Sequence, residues 1–505
     1  MQDKRLIVKG IYIYYLHLFI NLLLTFIMTP IIVGHLGKSA YGLWAVFGSV
    51  MGYFGLLKFG LGTATTKYTA EYLARNDLEA LSKLISSVSM VFIVVGIIIV
   101  FTCIGLTPFL PSFLQIPKDL LSAGRVTFIT MGFTLALGLF ASLFGSMIYG
   151  YQRVDVWRTF SIIQAIVNAL FILLFFRLGF GLVGIAFASF LSVFLLLTLY
   201  LIFINHHSNY KIVLHPRLAD LKTIKHIAPY SLRSFILILS ALILYQTDSL
   251  VIGIFLGVSF VTSYAIAYQL CFYSTYLFSL ITETVFPTFT RLYTLNDIDR
   301  LRSLYLRILK ISVAIVVPIA IALGIFGHSF INLWVGEKNF VGIDVLLVLV
   351  VMNFFHAFGT PAGLLLQAIG ENRKFMYSEI VNALLNLLLS VILVKKIGVL
   401  GVALGTLVAH LCTSFWVMPL LVFKYTKISI RQYISSILPP LLVGIPVALL
   451  VWIFIKDLFP SNHLHYLGLK VVMLLAIYSS MYLIFGSTQE ERRMYLRLFS
   501  KELTS

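Results

Sequence analysis

Apolar residues come in long runs, separated by short polar or charged connections. Fourteen runs read as membrane-crossing helices: 11–34, 41–61, 85–107, 123–149, 159–177, 180–204, 232–256, 260–283, 306–332, 341–369, 376–394, 398–423, 433–455 and 465–486. Each is near the length of about 20 residues that crosses a ~30 Å hydrocarbon layer at about 1.5 Å per residue. No polar stretch between them is long enough to form a separate aqueous domain. The pattern predicts an all-α integral membrane protein.

The runs repeat. Leu36-Gly37 closes the first span and Leu256-Gly257 the seventh, 220 residues later. NDLEALSKL (Asn76–Leu84) follows the second span, and NDIDRLRSL (Asn296–Leu304) follows the eighth at the same offset. GLVGIAFAS (Gly181–Ser189) and GVLGVALGT (Gly398–Thr406) open the sixth and twelfth spans, 217 apart. Shared lipid-span composition would not keep Asn-Asp pairs in register. The unit is six spans, an even number, so both copies run the same way, as in transporters built of parallel repeats. The expected organisation is a six-helix lobe over 1–210, a second over 211–430, and two accessory helices with a tail over 431–505. Asn76/Glu79 and Asn296/Asp299 have capping-box spacing and read as short amphipathic segments at the membrane surface.

Charge sets the orientation. Charged residues are 11% of the chain, against about 25% in soluble domains. The net charge of +18 sits in short loops, which points to membrane topology and not to nucleic acid. With fourteen spans, 27 of the 37 Lys and Arg fall on the side of the two termini, which predicts cytoplasmic termini. The basic, then apolar, N-terminal stretch lacks a small-residue cleavage site and reads as a retained first helix. Cys103, Cys271 and Cys412 are scattered and each reads as a small buried hydrophobe.

Few residues carry candidate chemistry. Asp248 falls near the middle of the seventh span, where a charge costs about 2.5–3.5 kcal/mol. It reads as a cavity residue or as a buried, hydrogen-bonded acid; the first-lobe counterpart at the 220 offset is Met28. Lys58, near the cytoplasmic end of the second span, either snorkels to the interface or faces a cavity. Arg125, about one turn into the fourth span, has the same two readings. Glu283 closes the eighth span as an interfacial anchor or a gating residue. His356, mid-span, is a core histidine or a proton relay. Gly48-x-x-x-Gly52 suggests close helix approach. Gly37-Lys38-Ser39 imitates the end of a phosphate-binding loop, but Ile32 stands where that motif needs glycine. No metal cluster, catalytic constellation or nucleotide-hydrolysis motif is present in the sequence, so no enzyme activity is expected.

The stretches TPIIVGHLGKSAYGLWAV and LGVSFVTSYAIA, the NDLEAL and NDIDRL segments and the six-span duplication resemble the polysaccharide flippases of the MOP exporter superfamily, Wzx type, over the whole chain. That resemblance implies two six-helix lobes in a V around a central cavity, with the last two spans accessory. It implies a polyprenyl-diphosphate-linked oligosaccharide as cargo, flipped to the external leaflet by alternating access for O-antigen, capsule or exopolysaccharide. It also implies a multi-pass protein of the bacterial inner membrane, working beside a polysaccharide polymerase and assembly proteins. No cofactor is implied; H+, Na+ or the membrane potential supplies the drive. Arg125 and Lys58 are then the anion-binding candidates, and Asp248, Glu283 and His356 the coupling or gating candidates. Asp248 matches an acid common in the family's seventh span. Lys58 departs from it, since relatives often place an acid there. The competing readings are a cation-coupled multidrug exporter or a lipid II flippase of the same superfamily, and, from another class, a membrane-embedded glycan polymerase or ligase.

Overall fold

The structure, a computed structural model, describes residues 2–207, 214–460, 463–489 and 491–493. Side chains are described for all of these except 2–11, 207, 233–234, 236–238, 240–241, 243–245, 276–284 and 372–373. Among the described residues the regular structure is helical throughout. The helices are α1 (Gln2–Phe54), α2 (Leu61–Ala74), α3 (Leu78–Leu106), α4 (Leu110–Phe113), α5 (Leu121–Gly150), α6 (Val154–Arg177), α7 (Gly181–His207) and α8 (Leu221–Phe255). They continue as α9 (Val258–Thr294), α10 (Ile298–Val335), α11 (Ile343–Ala368), α12 (Asn372–Ile397), α13 (Val399–Cys412), α14 (Ser414–Thr426), α15 (Ile430–Leu450) and α16 (Leu464–Met481). In lipid, a backbone must satisfy its own hydrogen bonds, and a helix does so within one segment.

Eleven helices among the described residues are long and apolar enough to cross a membrane. The first run and the second as far as Phe54 lie in one element, α1, which is broken at Gly37 (φ 74°, ψ 174°). The seventh and eighth runs are helices α8 and α9. Contacts divide the chain into two compact units, Met1–Thr262 and Ser263–Ser505.

The repeated motifs adopt repeated conformations. Gly37 and Gly257 both have positive φ, as do Gly181 and Gly398. Asn76 and Asn296 both sit in the left-handed region, at φ 54° and 55°. Asp77 then caps α3 by accepting from the Ala80 N–H, and Asp297 caps α10 by accepting from the Arg300 N–H. The cap is therefore the aspartate and not the asparagine. Asparagine tolerates the left-handed turn, and aspartate supplies the acceptor. Both segments open long helices and are not separate surface helices.

In the first unit, Met28 of α1 packs with Ala169, Ile172 and Phe176 of α6 and Ile185 and Ala188 of α7. Helices α6 and α7 are also tied by Ser192 Oγ donating to Asn168 Oδ1. The expected Gly48/Gly52 approach is not the tight one: Gly48 has open space beside it. The close crossing is at Gly42, where a methyl would lie 1.7 Å from the Val258 carbonyl oxygen. Beside it, Thr262 Oγ1 donates to the Lys38 carbonyl.

The core of the second unit joins α10, α11, α14, α15 and α16 around Phe326, Leu365, Val422, Val447 and Leu474. The last two spans are thus part of that core. At its end Lys310 of α10 pairs with Glu491 at 2.7 Å, and both side chains are nearly buried, at 8% and 12% exposure. Burial opposes the Glu491 charge. The Lys310 ammonium and the Thr488 backbone N–H more than offset this and hold the carboxyl below the usual glutamate value. A depressed folded-state value means the contribution is complete above 4.5 and fades as pH falls through the lower, folded value. Glu491→Gln is expected to lower the thermal midpoint at neutral pH, because it strands a buried ammonium at a cost of about 3–5 kcal/mol. Lys310→Met combined with Glu491→Gln should recover most of that loss and flatten the acid limb of a pH–melting series. Cys103 and Cys271 are buried as expected, but Cys412 is exposed.

A cationic cavity as the candidate functional site

The second apolar run does not stay helical. After α1 the chain makes a 3-10 turn, Gly55–Lys58, then two left-handed residues, Phe59 (φ 49°) and Gly60 (φ 68°), before α2 begins. Glycine takes that conformation freely; phenylalanine does so at a cost of about 1–3 kcal/mol. Thr63 Oγ1 braces the break by donating to the Gly60 carbonyl at 2.8 Å. Irregular backbone at membrane depth is tolerated only where it is packed in protein or lines a wet cavity. Here it lines one.

The cavity lies within the first unit and measures about 840 Å³. The break contributes Gly55, Leu56, Lys58 and Gly60; α2 contributes Gly62, Thr63, Thr66 and Lys67. The remaining wall is Ser142, Ser146 and Tyr149 of α5, Trp157 and Arg158 of α6, and Tyr230, Phe235 and Leu242 of α8, with Gly52 of α1. Three cations line it, and among the described residues no Asp or Glu does. Helix α2 starts here without a side-chain cap, so its first N–H groups and the positive end of its dipole belong to the same space.

Each cation is held differently. Lys58 is half-buried and has no carboxylate partner among the described residues. Lys67 sits over the rings of Tyr68 and Tyr230, 4.4 and 4.9 Å from their centroids. Arg158 lies over Trp157 and Tyr14 at 4.4 and 4.7 Å, with Nη1 3.2 Å from His17 Nδ1. Aromatic faces attract cations and fix their direction without neutralising them. Lys67 and Arg158 are oriented in this way, and Lys58 stands at the helix break beside them.

The residues expected from sequence fall in different places. Lys58 lines the cavity. Arg125 is exposed on α5 and does not line it. Asp248 is 3% exposed on α8; its neighbour Thr247 pairs with Tyr53 of α1 at 2.7 Å, and Asp248 is not among the lining residues. His356, in the second unit, lies beside His410 with ring centroids 6.3 Å apart. The side chain of Glu283 lies outside the described residues. Lys67 and Arg158 were read from sequence only as orientation charges. Their signal was adjacency to aromatics, in Lys67-Tyr68 and Trp157-Arg158.

The fold and this site define a multi-pass helical membrane protein with a cavity lined by three cations. Its fold is that of MOP superfamily transporters. It is similar to an inward-facing multidrug resistance MATE family transporter of that superfamily, with TM-score 0.70, 18% identity, and coverage of 80% of this chain and 96% of that one. It is also similar to the lipid II flippase MurJ in an inward closed conformation, with TM-score 0.71, 15% identity, and coverage of 93% and 98%. In sequence it is 23% identical to the probable low-salt glycan biosynthesis flippase Agl15 of Haloferax volcanii, over 48% of this chain and 51% of the relative. Residues 31–341 match the family described as polysaccharide biosynthesis protein, and the chain belongs to that family.

Proposed function

We propose that this protein is a flippase that carries a polyprenyl-diphosphate-linked oligosaccharide from the cytoplasmic to the external leaflet by alternating access, for surface polysaccharide assembly. The supporting observation is the cavity beside the broken helix, with Lys58, Lys67 and Arg158 and no lining carboxylate among the described residues. A diphosphate cannot enter hydrocarbon with its charge unpaired. Cations in a wet recess supply the pairing, while the lipid tail remains in the bilayer. In this reading the fourteen spans form two parallel six-helix lobes, the last two spans being built into the core of the second unit, with both termini cytoplasmic and the inner membrane as the site of action. Asp248 is the coupling residue, since a buried acid on a span is an apt place for a proton or Na+ to bind and leave.

A cation-exporting drug transporter would favour an acidic cavity, so the three lining cations favour the glycan reading. A deletion strain is expected to lose surface polysaccharide and to accumulate polyprenyl-linked oligosaccharide that a membrane-impermeant glycosidase cannot reach in intact spheroplasts. Normal surface glycan together with new drug sensitivity would reverse the assignment.

A further inference from the structure

The cavity has a second kind of wall beside its cations. On α5, Ser142, Ser146 and Tyr149 follow at steps of four and three, which places them on one helix face. Trp157 stands edge-on to Tyr149, with centroids 5.1 Å apart and planes at 87°. Among the described residues the Ser142 and Ser146 hydroxyls bond to no protein group. Thr66 Oγ1, facing them from α2, donates to the Ser146 carbonyl at 3.2 Å and keeps its lone pairs.

Gly62 lines the cavity opposite these hydroxyls, and Gly145, behind the wall, seats the indole. A methyl on Gly62 would lie 3.3 Å from Ser146 Oγ and 3.6 Å from Ser142 Oγ. A methyl on Gly145 would lie 3.1 Å from Trp157 Nε1, so the indole is seated against bare backbone. Hydroxyls beside an aromatic pair, with no charge of their own, suit a neutral polyhydroxylated ring. Its hydroxyls exchange hydrogen bonds and its C–H face packs on the indole. A diphosphate uses neither. The volume, about 840 Å³, is at the upper end of the ~300–1,000 Å³ usual for ligand sites and leaves room for more than an anion. Trp157 is also the ring under Arg158, so the two walls meet there.

We propose that Ser142, Ser146, Tyr149 and Trp157 form a sugar subsite. It takes the first pyranose attached to the diphosphate and thereby selects among lipid-linked glycans. This rests on the reading that the cations hold the diphosphate. The subsite adds discrimination, because hydroxyls built to bond a substrate reject an analogue that lacks the matching group.

The test uses full-length protein in nanodiscs with three probes: undecaprenyl diphosphate, and the same lipid bearing N-acetylglucosamine or galactose. At least one sugar lipid should bind about 5–10-fold tighter than the bare lipid, the size of a good aromatic contact. Trp157→Leu and Ser146→Val should each bring that ratio to about one, and Trp157→Phe should keep most of it. The ratio is the readout, so a general loss of binding does not imitate the effect. Equal binding of all three probes by the unaltered protein would overturn the subsite, as would variants that weaken every probe by one factor. Binding of none of the probes would instead refute the diphosphate reading beneath it.

Discussion

Lys58→Met is expected to abolish most glycan export while leaving the thermal midpoint of the purified protein unchanged or higher. The two effects have opposite signs for one reason. Lys58 is half-buried without a carboxylate partner among the described residues, so its charge is poorly compensated in the resting protein. Replacing a half-buried, uncompensated ammonium with an apolar chain of similar volume removes the cost of partly burying that charge. The same charge is what an incoming phosphate meets. A hydrogen bond to a charged group is worth about 1.5–3 kcal/mol, so affinity for undecaprenyl diphosphate should fall roughly 10- to 150-fold. Lys58→Arg should keep most of the binding, and Lys58→Glu should lose more than Lys58→Met. Paired melting and binding curves check this. Unchanged affinity in Lys58→Met would remove the residue from the anion site.

Gly42→Ala should be the most damaging single methyl in the first unit. The added carbon would lie 1.7 Å from the Val258 carbonyl oxygen, 2.7 Å from its carbon and 2.9 Å from Thr262 Oγ1. The first two are backbone atoms and cannot rotate away. Ordinary overpacking costs about 1–3 kcal/mol; here α1 and the start of α9 must separate, so the cost should exceed about 3 kcal/mol. The expected outcome is loss of monodisperse protein after detergent extraction. Gly48→Ala is the control, because nothing lies within 4 Å of its added carbon. Wild-type yield from Gly42→Ala would show that the crossing is looser than described.

Much of the fold was legible because lipid leaves a chain few choices. Long apolar runs become helices, and most of the expected spans appear as helices near their predicted bounds. Some positions of the matched motifs share a backbone conformation: Gly37 and Gly257, and Asn76 and Asn296, all have positive φ. The cap at Asp77 was missed by one residue, since Asn and Asp both cap and only the backbone shows which one turns.

The site was harder to read. GLLKFGLG lies within a long apolar run, and neither Phe59 nor its scattered glycines announce a break there. Lys58 was singled out because a charge inside a span is conspicuous. Lys67 and Arg158 were not, because a span-counting scheme assigns them to loops, whereas the cavity extends to where they stand. Convergence of α2, α5, α6 and α8 is a tertiary fact that no local pattern encodes.

The placement of α15 and α16 bears on how the chain is assembled. Lipid tails are as greasy as leucine, so aversion to water does not drive these helices onto α10. What holds them is steric fit and a few polar links: Gly444 against Val317, where a methyl would come within 2.6 Å, Tyr478 donating to the Pro440 carbonyl, and the Lys310–Glu491 pair. Such fasteners act only between finished helices already threaded through the bilayer. Seating of α15 and α16 against α10 therefore depends on shape and on these few polar links between formed helices.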